Sequence, residues 1–158
     1  MAIEVTVKKT EPMTVVFISK KGPYSLINQA FGELYGWIGE KGCIPSGPPV
    51  GVYFNSPEQV PAEELLWELC SPIAGDVAPS SPDERGVGIK RVEGAEVAST
   101  IHKGPYEQIG PVYGALVGWI MENGYQIAGP SEEVYLSDPD KTPPAELLTE
   151  VRFPVQKR

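Results

Sequence analysis

The sequence predicts an α+β fold made of two tandem β-β-α-β-β repeats related by a pseudo-two-fold axis. Three observations predict it. Residues 21–73 and 103–155 align at a constant offset of 82 positions with no insertion or deletion, giving 23 identities in 53 positions. Inside each copy the apolar period switches from alternation to helical spacing and back. At 158 residues, the chain is long enough to bury about two thirds of its unfolded surface in one shared core.

Each copy opens with two alternating stretches, Val5 and Val7 then Val15 and Phe17, and Val87 and Ile89 then Val97 and Ser99. They predict a hairpin per copy, turning near Thr10, Glu11 and Pro12 and near Val92, Glu93 and Gly94. A KGPY motif at 21–24 and 103–106 follows. Ile27, Phe31, Leu34 and Ile38 are then spaced i, i+4, i+7, i+11, and Ile109, Tyr113, Leu116 and Ile120 repeat that spacing, so an amphipathic helix is expected in each copy. Gly42 and Gly124 are placed to close the helices with a left-handed residue. Short strands at 51–54 and 133–136 and long ones at 65–73 and 147–155 complete the unit. The expected product is an antiparallel sheet of about eight strands with both helices on one face. Repeat 1 spans 3–75, a Pro/Ser-rich linker 76–85 and repeat 2 86–156, within a single domain.

Alternation along the long strands sorts Leu65, Trp67, Leu69 and Ile73 to the helix side and Glu68 to the other; the second copy sorts Leu147, Val151, Phe153 and Val155 from Glu150 in the same way. With Val52, Phe54, Val134 and Leu136 taken as core, Tyr53 and Tyr135 are expected beside the two glutamates. Two tyrosines and two carboxylates would form an aromatic, acidic groove between the repeats, suited to a ligand cation or, with the carboxyl pKa raised, to general-base chemistry. The plain alternative is a pair of solvated glutamates on an open sheet face. Tyr24 and Tyr106 at the helix entrances either lean over the groove or staple the helix starts, and Trp37 and Trp119 either pack the core or line the groove. His102, the lone histidine, is read as a surface residue at a strand end.

The net charge of −8 argues against direct nucleic-acid binding. No apolar run spans a bilayer and the N-terminus lacks a secretory layout, so no membrane partner is expected and a cytoplasmic location is. Cys43 and Cys70, without metal-ligand spacing, are expected as reduced thiols. No phosphate-cradling or nucleophile-elbow motif is present, and a single histidine supports neither a zinc site nor a triad; neither a metal nor a cofactor is expected, and haem is disfavoured because His102 alone could ligate iron.

KGPY before a helix, GWI at 36–38 and 118–120, a Gly-Pro and Val-Tyr strand, and PPAELLTEVRFPV at 143–155 resemble the GyrI-like small-molecule-binding domain, the effector-binding domain of multidrug-sensing and AraC-type regulators. The resemblance covers essentially the whole chain. It implies two modules around a pseudo-two-fold axis, binding hydrophobic and often cationic compounds in the groove between them. It places a groove carboxylate at Glu150, with Glu68 as its repeat mate. Some stand-alone members of similar sequence hydrolyse cyclopropane-containing electrophiles. By that resemblance Glu150 or Glu68 would activate water, and Tyr135, Tyr53 or Tyr106 would donate to the carbonyl that accepts electrons. The repeats leave no room for a helix-turn-helix module. Three functions follow as expectations: a stand-alone small-molecule binder, a hydrolase of reactive xenobiotics, and a modulator of a protein partner such as DNA gyrase.

Overall fold

The computed structural model describes residues 3–158, with nine strands and two α-helices. The strands are β1 Thr6–Lys9, β2 Met13–Lys21, β3 Val50–Tyr53, β4 Leu66–Pro72, β5 Val87–Val92, β6 Glu96–Lys103, β7 Tyr125–Ile127, β8 Ser131–Tyr135 and β9 Leu148–Lys157; the helices are α1 Ile27–Lys41 and α2 Gly110–Glu122. All strand pairings within the units described below are antiparallel. The α+β tandem-repeat architecture is as the sequence predicts, with β7 as an additional short strand.

The leading strands differ from expectation. Neither expected hairpin forms. β1 pairs with β6 and β5 pairs with β2, so each repeat's first strand is exchanged into the other repeat's sheet. Local chemistry explains why the chain runs on. The first connection carries no glycine for a tight primed turn and ends in Pro12, and Gly94 in the second is not among the positive-φ glycines. Thr10 and Ala95 instead bond reciprocally: Thr10 N–H donates to the Ala95 carbonyl at 2.8 Å, and Ala95 N–H to Thr10 Oγ1 at 3.0 Å.

The chain accordingly divides into two compact units, one of Met1–Glu11 with Gly94–Arg158 and one of Pro12–Glu93. In the second-repeat unit the strand order is β1-β6-β9-β8, with β7 also paired to β9. Helix α2 buries Val112, Leu116 and Ile120 against Ala98, Val151 and Val155. In the other unit the order is β3-β4-β2-β5. Helix α1 buries Ala30, Leu34, Trp37 and Ile38 against Val16, Ile18, Tyr53, Trp67 and Leu69. Gly42 ends α1 at φ 71°, and Gly124 follows α2 at φ 82°, both in the left-handed conformation that stops a helix. No helix among the described residues is long and apolar enough to cross a membrane.

The segment 76–85 is tied down within its unit. Ser80 pairs with Ile89 through two 2.9 Å backbone bonds, and Asp83 accepts the Trp37 indole N–H at 2.8 Å. Gly88 permits this strap to lie on β5, because a Cβ there would sit 2.7 Å from the Ser80 carbonyl oxygen.

Candidate functional site: a tyrosine-held glutamate in the second repeat

Glu68 and Glu150 lie on the helix-free side of their strands as alternation predicts, but both are buried and ion-paired. Lys90 Nζ stands 2.6 Å from Glu68 Oε2, and Ser19 donates to Oε1 at 3.1 Å. In the second repeat Lys8 Nζ lies 2.9 Å from Glu150 Oε2, Ser99 donates to it at 2.8 Å, and Arg152 is 3.7 Å away. Lys8 and Lys90 are repeat mates, delivered to the opposite repeat's glutamate by the strand exchange. Burial pushes the Glu150 carboxyl up, but Lys8, Ser99 and Arg152 together outweigh it and hold it below the usual range.

Tyr53 and Tyr135 are not on the face of these carboxylates, which corrects their expected orientation. Tyr53 is paired with Trp67, and Tyr135 with Thr149, so each tyrosine points to the helix side while Val52 and Val134 share the face of Glu68 and Glu150. The apolar residues taken as core instead point outward at the strand ends: Phe54 is 52% and Leu136 44% exposed. Both faces of this strand carry apolar residues, so alternation alone could not orient it.

The tyrosines of the second repeat converge on a different residue, Glu133. It stands on β8, two residues before Tyr135 and on the same helix-facing side. Tyr135 Oη donates to Glu133 Oε1 at 3.0 Å, and Tyr113 Oη, from α2, donates to Oε2. Tyr106, in the 3-10 turn before α2, meets the Tyr135 ring edge-on at 6.0 Å, and Phe153 on β9 meets Tyr113 edge-on at 6.0 Å. Glu133, Tyr113 and Tyr135 are half-buried and Tyr106 is exposed, so the cluster is open to solvent on one side. Removal from water raises the Glu133 carboxyl above its usual range, although the two phenol donors and nearby His102 offset part of the rise. Burial, Glu133 and Asp138 raise the Tyr106 phenol.

His102 is a further correction. It is buried rather than on the surface, with Nε2 2.9 Å from the Pro105 carbonyl, a contact that requires the proton on Nε2. Tyr24 makes the same edge-on contact to Tyr53 in the first repeat, at 5.5 Å. Trp37 is buried against the core and Trp119 stacks on Tyr125 at 6.1 Å, so neither joins the Glu133 cluster. Both cysteines are free thiols.

At the offset of 82, Glu133, Tyr113 and His102 correspond to Gly51, Phe31 and Lys20. The first repeat therefore retains the tyrosine pair but not the carboxylate or its second phenol. This polar substitution at helix-facing positions was the signal available in the sequence. Two surface hollows in the first-repeat unit, of about 340 Å³ beside Phe17 and Lys90 and about 310 Å³ beside Trp37 and Arg85, offer no such convergence; Lys90 is paired with Glu68, Arg85 with Glu40 and Glu33 with Lys20. Among the described residues no group of three or more His, Cys, Asp or Glu could hold a metal ion.

The family model of the GyrI-like small molecule binding domain matches residues 3–156. A DNA gyrase inhibitor of Citrobacter rodentium is 27% identical over 136 residues, covering 84% of this chain and 85% of that protein. The fold matches EcmrR in its complex with DNA at TM-score 0.85 and 20% identity; the match covers 98% of this chain, which spans only 58% of EcmrR. A hydrolase from Listeria innocua matches at TM-score 0.73 and 18% identity, over 97% of this chain and 92% of that one. These structural likenesses establish a shared fold.

Proposed function

The chain belongs to the GyrI-like small-molecule-binding domain family, and from that premise we propose that it binds hydrophobic compounds bearing a positive centre at the Glu133 cluster of its second repeat. One observation carries the reading: a carboxylate raised by burial, with each oxygen held by a tyrosine hydroxyl, stands among aromatic rings in one repeat and is replaced by Gly51 in the other. A ligand cation restores to Glu133 the stabilisation that burial removes. Each aromatic face beneath a cation adds about 0.5 to 2 kcal/mol. The free thiols accord with the cytoplasm as the place where this occurs.

The test is calorimetric titration of wild type and Glu133→Gln with benzyltriphenylphosphonium, a lipophilic cation. The cation offers no N–H or O–H donor, so what is lost is Coulombic attraction, about 2.8 kcal/mol across about 6 Å at an effective dielectric of about 20, and a Kd weaker by up to about 100-fold is expected. Equal affinities for the two proteins would overturn the proposal.

The raised carboxyl of Glu133 also favours a second reading, hydrolysis of a cyclopropane-containing electrophile. Glu133 would take a proton from water as its oxygen bonds to the ring carbon. The breaking C–C bond would send its electron pair to a conjugated carbonyl, whose oxygen would take a proton from a tyrosine hydroxyl. Product formation that vanishes in Glu133→Gln while binding of the electrophile persists supports this reading, and binding without product refutes it. Kinship to DNA gyrase inhibitors supports a third activity on gyrase, read directly by a supercoiling assay with purified enzyme.

A further inference from the structure

Among the described residues, Thr149 Oγ1 is the one buried side-chain polar atom without a hydrogen-bond partner. Thr149 is fully buried on β9, opposite Tyr135 on one side and His102 on the other, so its side chain lies on the helix-facing side between two residues adjoining Glu133. Buried hydroxyls are nearly always bonded, and one left without a partner destabilises the fold. The repeat mate shows that this position does not require a hydroxyl. Trp67 stands there in the first repeat, buried, with its indole N–H donated to the Gly22 carbonyl at 2.9 Å. The second repeat thus carries a small polar residue where its twin carries a large satisfied one, and the exchange falls in the repeat that also carries Glu133.

We propose that Thr149 is a specificity-determining residue whose hydroxyl donates to an oxygen acceptor on the ligand, which makes the preferred ligands lipophilic cations that also bear a carbonyl or ether oxygen. The inference rests on the Glu133 reading and adds a second polar anchor to it. Thr149 is the diagonal neighbour of Glu133 across β8 and β9, a relation that places their Cβ atoms up to about 7 to 8 Å apart. A para-substituted benzyl group spans this separation. His102, whose Nε2–H is committed to Pro105, leaves the acceptor to the threonine.

The experiment compares benzyltriphenylphosphonium with its 4-acetyl derivative, which differs by one carbonyl-bearing group, in titrations of wild type, Thr149→Val and Glu133→Gln. Wild type should bind the acetyl compound about tenfold more tightly, the contribution of one hydrogen bond. Thr149→Val should bind the two equally and melt at a higher temperature than wild type without ligand. Glu133→Gln should weaken both compounds. A preference that survives in Thr149→Val, or is absent from wild type, overturns the threonine proposal while the Glu133 reading stands. Failure of wild type to bind either cation, or indifference of both to Glu133→Gln, overturns the two together.

Discussion

Glu133→Gln has a pH signature that separates a carboxyl raised by burial from one that is merely ion-paired. Burial places the folded pKa of Glu133 above the unfolded value of about 4.3. Between those two values the folded state binds more protons than the unfolded state, so the stability associated with Glu133 is fully present below about pH 4.3 and is lost as pH rises through the raised folded value. The variant carries a neutral near-isostere at every pH. Below pH 4.3 wild type and variant should therefore agree within about 1 kcal/mol, the worth of one hydrogen bond to Tyr113 or Tyr135. With rising pH the variant should become the more stable, the gap growing by at most about 1.4 kcal/mol per pH unit because a single proton is involved. Urea unfolding of both proteins between pH 4 and pH 9 measures the gap directly. A gap that is flat with pH, or that grows in favour of wild type, would refute the assignment of a desolvated carboxyl at this position.

The same assay applied to Glu150→Gln should give the opposite sign: with its folded pKa lowered, Glu150 contributes stability above about pH 4.3 that is lost as pH falls through the folded value, so wild type should lead at neutral pH and the lead should close in acid. Tyr113→Phe restores the residue that the first repeat carries at that position; it should fold, lose about 1 to 2 kcal/mol at pH 7 by thermal or urea unfolding, and lose less below pH 4.3. Gly88→Ala should cost about 1 to 3 kcal/mol and expose segment 76–85 to limited proteolysis, because the new methyl would meet the Ser80 carbonyl oxygen at 2.7 Å.

Helix positions and their glycine stops were legible because apolar spacing and left-handed glycines are local properties, and the second copy at 82 residues doubled every local signal. The exchange of β1 and β5 was not legible, since a strand's periodicity states which face is apolar and not which neighbour it joins. The orientation of Tyr53 and Tyr135 was lost for a related reason: Val52 and Phe54 on one side and Tyr53 on the other are all apolar enough for a core. Strand alternation and the family resemblance pointed to Glu68 and Glu150, which the fold uses in matching lysine pairs. The differences between the repeats, Gly51 against Glu133, Phe31 against Tyr113 and Trp67 against Thr149, mark where pseudo-symmetry is broken at the candidate site. Positions that an internal duplication keeps alike tend to serve the shared fold, and a polar residue gained on the packed face of one copy needs a separate reason.

Whether Glu133 receives a lipophilic cation can be seen in a crystal structure of the complex with benzyltriphenylphosphonium. The phosphonium should lie within about 6 Å of aromatic ring centroids in the cluster of Tyr106, Tyr113 and Tyr135, with Glu133 as its nearest carboxylate. A phosphonium seated instead on the opposite strand face, beside Glu68 or Glu150 with the lysines displaced, would contradict that placement.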